Sequence, residues 1–278
     1  PLPRPAAAHE FSGVGRALPQ VRNPMLSTLL VKKKALEAGF DLVGIAPANT
    51  LNDNDTPPDT PPGAPNDLKF AREWWEKGYG GEMRYLANPK RYDPRRVLPD
   101  ARSLISVGLV YNTPFPYSPP AAAEGKARGW ISRYAWGEDY HRILKRKLEA
   151  LCRALSETAP QAALLPYVDT GPVVEQAFAR LSGIGWMGKN TCLIDTKRGS
   201  WFFLGVVLTD LDLTPDTPAP DRCGSCTKCL EACPTGAFIA PYVMDSSRCI
   251  SYFTIELRGT IPESFRESMT NHIFGCDI

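Results

Sequence analysis

The sequence predicts an α+β fold that continues into a separate cysteine-rich module. Stretches with helical spacing of apolar residues are interspersed with stretches that alternate like strands. A Pro-rich segment, LTPDTPAPDR at 213–222, separates this mixed region from the C-terminal part of the chain. Four closely spaced cysteines come directly after that segment. A chain of 278 residues is long enough for one large domain or two smaller ones.

The first part of the mixed region contains a helix and two strands. Residues 27–39, STLLVKKKALEAG, combine a Ser N-cap, helical apolar spacing and a Gly stop. Segments 40–46 and 102–111 alternate like strands, and we expect them to share a sheet. The tract 52–67 between them is rich in Pro, Asp and Thr, so we expect a mobile surface insertion there.

The second part follows a Pro-rich stretch at 113–120 and begins with a long amphipathic helix from Glu138. Its apolar residues fall on one helical stripe: Ile143, Leu144, Leu148, Leu151 and Leu155. A helix is predicted at 173–181, and strands at 191–195 and 201–209. We place the change of domain near Asp216, where the Pro-rich segment lies.

Charge and hydropathy exclude few classes of protein. The net charge of +2 is too small to indicate a nucleic-acid partner by itself. No apolar run is long enough to cross a bilayer, so we expect a soluble protein. Residues 1–24 lack the apolar core of a secretory signal and a twin-Arg pair, and we interpret them as a disordered or non-native leader. The other end, Gly275–Ile278, has no closing element and is interpreted as truncated.

The cysteine spacing is the most specific motif of the sequence. Cys223, Cys226, Cys229 and Cys233 precede Pro234 in the pattern C-x-x-C-x-x-C-x-x-x-C-P, which is typical of bacterial 4Fe-4S ferredoxins. The first three thiolates can cap one cubane, and the fourth points to a second cluster. Disulfides fit an intracellular chain poorly, and structural zinc usually shows paired C-x-x-C knuckles. The motif therefore predicts electron transfer.

Two further cysteines extend this prediction to a second cluster. Cys249 and Cys276 would each, taken alone, more often be a buried thiol. Together with Cys233 they would supply three ligands of the second cluster, so that each cluster needs one more ligand from beyond Ile278. We expect Cys152 and Cys192 to be core residues.

The segment from Gly183 to Gly188 matches G-x-G-x-x-G, the fingerprint of dinucleotide-binding proteins. A helix precedes it and a strand follows it, which is the reverse of the order that such a site requires, so we reject a nicotinamide site. A helix C-cap and turn would explain one or two of the glycines. The full GIGWMGKNT predicts a backbone pressed against a large flat ligand.

Several stretches, in order and spacing, resemble epoxyqueuosine reductases. They are YVDTGPVVEQAFARLSGIGWMGKNTCLI, GSWFFLGVVLTDLDL and the cysteine region from CGSCTKCLEACPTGAF to FGCDI, together with RYAWGEDYH at 133–141. The resemblance implies a nitroreductase-like cobalamin-binding domain at 25–215 and a ferredoxin-like module with two 4Fe-4S clusters at 216–278. It also implies reduction of epoxyqueuosine to queuosine in tRNA. The later cysteines and helical repeats of that family do not occur in this sequence.

The resemblance also implies site residues. Asp169, in VDTGP, would be the catalytic proton donor, although an Asx turn or a helix N-cap would also suit this position. The predicted cobalamin contacts are Asp169, Arg133, Lys189, Asn190, Leu193, Asp195 and Ser251. Arg133 and Lys189 could instead be solvated surface charges. A lone His is more often structural than a ligand, so His141 is assigned no role.

The implied partners are a tRNA with a queuosine-type wobble base and an external electron donor such as flavodoxin or ferredoxin. We expect a cytoplasmic monomer that does not bind membranes. Basic side chains could contact anticodon phosphates or simply keep a helix soluble; they are Lys126, Arg128, Arg133, Lys145, Arg146 and Lys147. An electron carrier and a reductive dehalogenase are the alternative functions, and the second usually has the twin-Arg signal that is absent here.

Overall fold

The computed structural model describes residues 26–48, 67–115 and 128–278. The predictions made for residues 1–24, for most of the tract 52–67, for 116–120 and for Lys126 lie outside these ranges. The helices are α1 (Thr28–Glu37), α2 (Asp67–Glu76), α3 (Tyr140–Ser156), α4 (Glu175–Leu181), α5 (Lys228–Ala232) and α6 (Glu263–Arg266). The strands are β1 (Leu42–Pro47), β2 (Ser103–Val110), β3 (Trp130–Ile131), β4 (Leu164–Tyr167), β5 (Trp186–Met187), β6 (Leu193–Ile194), β7 (Phe202–Thr209), β8 (Phe238–Ala240), β9 (Val243–Met244) and β10 (His272–Phe274).

The elements predicted from periodicity in the described ranges are present. Ser27 caps α1, because its hydroxyl accepts the N–H of Leu30 at 3.2 Å. The two early strands pair as expected, with β1 and β2 antiparallel. The strand predicted at 191–195 is shorter, since Thr191 has a φ of 60° and belongs to a turn. Side-chain periodicity therefore identified the elements correctly, and the turn at Thr191 makes one strand, β6, shorter than predicted.

A four-stranded antiparallel sheet in the order β1-β2-β7-β4 forms the centre of the fold. Successive residues of a strand face opposite sides. Strands β2 and β7 are apolar at most positions, so both faces of the sheet carry apolar side chains. Ile105, Val107 and Val207 pack against α1 and α3. Leu104, Val206 and Leu208 pack with Phe178 of α4 on the other face. This mixture of helices and sheet confirms the α+β prediction.

The cysteine-rich segment has a small core of its own and is fastened to the sheet body. The core consists of Ile250, Tyr252, Phe253 and Met269. Strand β10 pairs with β3 in parallel. Beside this pair, the carboxylate of Asp277 accepts the Ser132 hydroxyl, and it accepts the N–H of Arg133 at 2.8 Å. The segment therefore lies directly against the region that precedes α3.

The linker between the two parts runs beside the edge of the sheet. Asp216, where we placed the domain change, donates its N–H to the carbonyl of Ile45 at 2.9 Å. Its carboxylate accepts the N–H of Ile45 at 2.8 Å and also contacts Lys32. This residue is thus bonded to β1 as an additional strand residue would be.

Within the described ranges, no helix combines the length and the apolar character needed to span a lipid bilayer.

Asp216→Ala should destabilise the protein by about 1–3 kcal/mol, because it leaves the buried N–H of Ile45 without an acceptor. Chemical denaturation gives the free energy of unfolding. Asp212→Ala is the matched control: Asp212 forms an exposed ion pair with Arg102 at 3.2 Å, a type of pair worth about 0–1 kcal/mol. Equal stability of the two variants would contradict the role of Asp216.

Candidate functional site

Asp169 lies on the loop between β4 and α4 and faces the start of α3. Its φ of 50° lies in the left-handed region, which few residues other than glycine adopt. Its side chain is 58% exposed, and its Oδ2 accepts the hydroxyl of Tyr140 at 3.1 Å. The loop thus presents the carboxylate at the protein surface beside Tyr140 rather than burying it.

His141 connects Asp169 to a second carboxylate. Its Nε2 lies 3.0 Å from Oδ2 of Asp169, and its Nδ1 lies 2.8 Å from Oδ1 of Asp139. Burial lowers the pKa of His141, but the hydrogen bonds to Asp169 and Asp139 and their charges outweigh this and raise it above its usual value. We assigned His141 no role from the sequence, and the structure corrects this. The sequence feature that could have indicated this contact is Asp139, because it is the N-cap of α3 and places His141 in the first turn of that helix.

Two charged residues, Arg91 and Glu175, bond to backbone atoms of the Asp169 loop. Arg91 donates from Nη1 to the carbonyl of Gly171 at 2.7 Å. The carboxylate of Glu175 accepts the backbone N–H of Asp169, and burial raises the pKa of Glu175 to about 7. Its Oε1 is buried and has no hydrogen-bond partner among the described residues. Sequence reasoning missed both residues, because their roles depend on contacts with backbone atoms.

An aromatic cavity of about 250 Å³ adjoins Tyr140. The ring of Tyr140 is stacked on Phe203 at a centroid distance of 4.2 Å and an angle of 3°. The residues that line the cavity are Leu109, Val110, Tyr111, Thr113, Arg133, Tyr134, Trp136, Glu138, Tyr140, Ile143 and Phe203. Flat aromatic walls beside a carboxylate suit a planar ring system.

The first four cysteines of the motif lie between the linker and the end of α5. The N–H of Cys226 donates to the carbonyl of Cys223 at 3.0 Å, which closes a tight turn between two of the thiols. The N–H of Ala237 points at Sγ of Cys233 at 3.3 Å. All four are free thiols. Thiols on a tight loop, with an amide directed at sulfur, are the donor set that an iron–sulfur cluster uses.

The structure brings Cys249 and Cys276 together, as the sequence predicted. Both pack against the small core around Ile250. Burial raises the pKa of Cys276 to about 11, and the neighbouring thiols of Cys249 and Cys233 add to the shift. In the described part of the chain, no three His, Cys, Asp or Glu side chains converge on a point that would fit a single metal ion. A cubane spaces its thiolates more widely than a single ion does.

Two predicted cobalamin contacts have their polar atoms engaged within the protein. Arg133 is only 3% exposed and lies over the rings of Trp136 and Trp201 at 5.6 and 5.4 Å. It donates to the carbonyl of Thr113 at 3.0 Å and also to Asn112 and Phe115. Lys189 donates to carbonyls of the cysteine loop. The surface-charge alternative for Arg133 is therefore wrong.

The remaining predicted contacts surround the β5–β6 hairpin, apart from Ser251, which precedes the π-helical turn Tyr252–Glu256. Asn190 accepts the N–H of Cys192 at 3.2 Å. Asp195 caps the next turn by accepting two backbone N–H groups at 2.8 Å. Leu193 is buried in a small core. The structure thus groups Asn190, Leu193 and Asp195 on one hairpin, with turn-forming roles for the two polar side chains.

The glycine-rich segment is explained by close approaches of the chain to itself. Gly183 has a φ of 74°, and a Cβ there would lie 2.6 Å from the carbonyl of Thr217. A Cβ on Gly185 would collide with the carbonyl of Ile194 across the hairpin. The C-cap and turn interpretation therefore accounts for Gly183, and a close approach across the hairpin accounts for Gly185; the flat ligand stays a prediction. Cys192, which we predicted to be a core residue, is exposed because it stands at the hairpin turn.

The basic residues that we considered for phosphate contacts differ in their surroundings within the described ranges. Lys147 donates to the carbonyls of Ala38 and Gly39 at 3.3 and 3.1 Å, and Arg133 is buried. Arg146 forms an exposed ion pair with Glu138 at 3.1 Å, and Arg128 and Lys145 are exposed. Two of these candidates, Arg133 and Lys147, thus bond to the protein's own backbone.

Two family models match the chain. One, described as epoxyqueuosine reductase QueG, DUF1730, covers residues 91–170. The other, described as a 4Fe-4S double cluster binding domain, covers residues 222–278.

Curated relatives match over most of the chain. The epoxyqueuosine reductase of a Synechocystis strain is 47% identical over 208 residues, which are 74% of this chain and 70% of the relative. That of Gloeobacter violaceus is 43% identical over 249 residues, which are 89% of this chain and 72% of the relative.

Solved structures of epoxyqueuosine reductases also match this chain. An epoxyqueuosine reductase with an epoxyqueuosine-modified tyrosine-tRNA stem loop has a TM-score of 0.76 and 32% identity, over 89% of this chain and 62% of that chain. The Bacillus subtilis enzyme, solved with its catalytic aspartate loop swung out of the active site, has a TM-score of 0.75 and 30% identity, over 89% and 62%. This chain thus spans less than two thirds of those solved chains.

Asp169→Asn should lower the pKa of His141, because it removes one of the two carboxylates that raise it. The imidazole of His141 would then lose its proton at a lower pH than in the unmodified protein. An NMR titration of the ring measures this shift. Asp100→Asn, at an exposed aspartate outside the site, should leave the titration unchanged. An unaltered pKa in the Asp169 variant would contradict the contact.

Proposed function

Because the chain belongs to the epoxyqueuosine reductase family, we propose that it reduces epoxyqueuosine to queuosine in tRNA. The observation that carries the proposal is the combination in one chain of an exposed carboxylate, Asp169, held by Tyr140 and His141, with two groups of cysteines. An electron carrier would need the cysteines but has no use for Asp169 hydrogen-bonded to Tyr140 and His141. That arrangement favours an enzyme.

The reaction defines what the protein must supply. Removing the oxygen of an epoxide to leave an alkene consumes two electrons and two protons and releases water. No amino-acid side chain supplies electrons of this kind, so cofactors must do so. When bound, cobalamin would supply the metal centre that opens the epoxide, with electrons from the 4Fe-4S clusters. The protein's own residues have to supply the protons.

Asp169 is the proposed proton donor, and its neighbours explain how it could be reprotonated. Its Oδ2 is within hydrogen-bond distance of Nε2 of His141. The hydrogen bonds and charges of Asp169 and Asp139 raise the pKa of His141 and so favour its protonated form, which can return a proton to a carboxylate that has lost its own. Tyr140 holds the same oxygen from the aromatic side. We therefore assign proton delivery to Asp169, resupply to His141 and orientation to Tyr140.

We propose that cobalamin binds beside Asp169, on the sheet body, and that this part of the chain is a nitroreductase-like domain. The proposal is supported by the buried indole N–H of Trp186, which lacks a hydrogen-bond partner in the described ranges and lies on the β5–β6 hairpin beside three of the proposed contacts. The proposed contacts are Asp169, Asn190, Leu193, Asp195 and Ser251. Arg133 and Lys189 have engaged their polar atoms elsewhere, so we leave them out.

The proposed clusters divide the cysteines into two sets. Cys223, Cys226 and Cys229 would hold one cluster, and Cys233, Cys249 and Cys276 the other. We further propose a cytoplasmic monomer that accepts electrons from flavodoxin or ferredoxin. The tRNA stem loop bound to the solved relative supports tRNA as the substrate.

Deleting the gene should cause epoxyqueuosine to accumulate in tRNA, and mass analysis of tRNA nucleosides detects this. The wild-type gene should restore queuosine, whereas Asp169→Asn should not, because loss of a general acid slows turnover by about 10²–10⁴-fold. The purified variant should still bind cobalamin, visible as a corrin spectrum.

Asp100→Asn serves as the matched control for this experiment, since it changes an exposed aspartate outside the site and should restore queuosine fully. Absence of accumulation after deletion would overturn the proposed function. Full turnover of the Asp169 variant would overturn only the role of Asp169.

Cys249→Ser should remove about half of the bound iron, because it takes a ligand from one of two cubanes. Iron and sulfide analysis of the reconstituted protein measures the loss. Cys152→Ala is the control, since Cys152 packs against the core between α1 and α3. Equal iron in Cys249→Ser and the unmodified protein would contradict the assignment of Cys249.

A further inference from the structure

Lys189 reaches from the sheet body into the loop of the first three cysteines. It occupies the turn between β5 and β6. Its Nζ donates to the carbonyl of Gly224 at 2.7 Å and to that of Cys226 at 2.9 Å. These carbonyls are 35 and 37 residues further along the chain and belong to the loop that carries Cys223 and Cys226. One ammonium group thus bonds to the backbone of this loop at two points.

The main chain of Lys189 holds the cysteine-rich segment as well. Its carbonyl accepts the N–H of Tyr242 at 2.9 Å. The hydroxyl of Tyr242 donates to Oδ2 of Asp221 at 2.7 Å, and Oδ1 of Asp221 accepts the N–H of Cys223 at 2.7 Å. These bonds form a closed circuit through Lys189, the cysteine loop, Asp221 and Tyr242. Tyr242 has a φ of 68°, an unusual conformation that this circuit helps to maintain.

The charge of Lys189 acts on the same loop. Its ammonium group lies 2.7 and 2.9 Å from two backbone carbonyls of this loop, so its positive charge stabilises negative charge that develops on the loop. A 4Fe-4S cluster gains one negative charge on reduction, and nearby charge and hydrogen bonds are known determinants of its potential.

We propose that Lys189 is a positioning residue for the cluster of Cys223, Cys226 and Cys229, and that it both fixes their loop to the sheet body and raises the reduction potential of that cluster. This inference rests on the proposed function only in requiring that these cysteines hold a 4Fe-4S cluster. It gives Lys189 a role toward iron and sulfur rather than toward the corrin ring.

The test is a redox titration of the full-length protein, reconstituted anaerobically with iron and sulfide and followed by EPR. Lys189→Gln should lower the ratio of reduced to oxidised first cluster about tenfold at a fixed potential, equivalent to about 59 mV for one electron. The second cluster should not shift and acts as an internal reference. Lys189→Arg, which keeps the charge and the donors, should behave like the unmodified protein.

Lys228→Gln is the matched control. Lys228 is an exposed lysine beside Cys229, so its substitution removes the same charge without removing the two loop hydrogen bonds. The shift in the reduction potential of the first cluster should be much smaller in Lys228→Gln than in Lys189→Gln. A shift as large as that of Lys189→Gln, or equal shifts of both clusters, would show a general charge effect and overturn the proposal. An unshifted first cluster in Lys189→Gln would also overturn it.

Cluster assembly provides a second readout. Amide exchange of residues 221–226 should accelerate in Lys189→Gln, because the loop loses its anchor. If this variant fails to assemble the first cluster, assembly in Lys189→Arg supports the proposal and its failure there overturns it. A wild-type protein with no 4Fe-4S signal would refute the cluster assignment itself. Intact signals with unchanged potentials and exchange would refute only the role of Lys189.

Discussion

The packing of the cysteine-rich segment onto the sheet body is the contact on which the rest of the site depends. Asp169 and Cys276 are more than a hundred positions apart: Asp169 belongs to the sheet body, and the six clustered cysteines belong to the cysteine-rich segment. The β3–β10 pair, Asp277 and Lys189 fasten the two parts together. Most of these contacts involve backbone groups, so the docking geometry is set by hydrogen bonds with strict directions rather than by apolar contact alone.

Around Asp169 the structure combines exposure with restraint. The carboxylate is more than half exposed, yet Tyr140 and His141 hold one of its oxygens and Glu175 accepts its backbone N–H. Arg91 secures the next turn of the loop through Gly171. A residue in a left-handed conformation persists only where its surroundings over-determine it.

The same contacts explain why several single-residue interpretations of the sequence needed revision. Gly183 and Gly185 match a ligand-binding fingerprint by spacing, but each is required by a carbonyl of the chain itself. Arg133 was predicted to contact cobalamin, with a surface charge as the alternative, yet it is buried over two Trp rings with acceptors for both terminal nitrogens of its guanidinium. In each case the deciding partner is remote in sequence or is a backbone atom, and local pattern carries no information about either.

The sequence by itself determined the secondary-structure elements of the sheet body and the spacing of the cysteine motif. Periodicity and short-range spacing encode these two features, because they depend on neighbours within a few positions. The role proposed for Asp169 rests on the family resemblance and not on any local pattern. Only the tertiary structure decided that His141 meets Asp169, that Glu175 supports its loop and that Lys189 turns to the cysteine loop. These pairings depend on how α3, the β5–β6 hairpin and the cysteine loop pack against one another. The directions of long polar side chains follow from that packing, which no local pattern specifies.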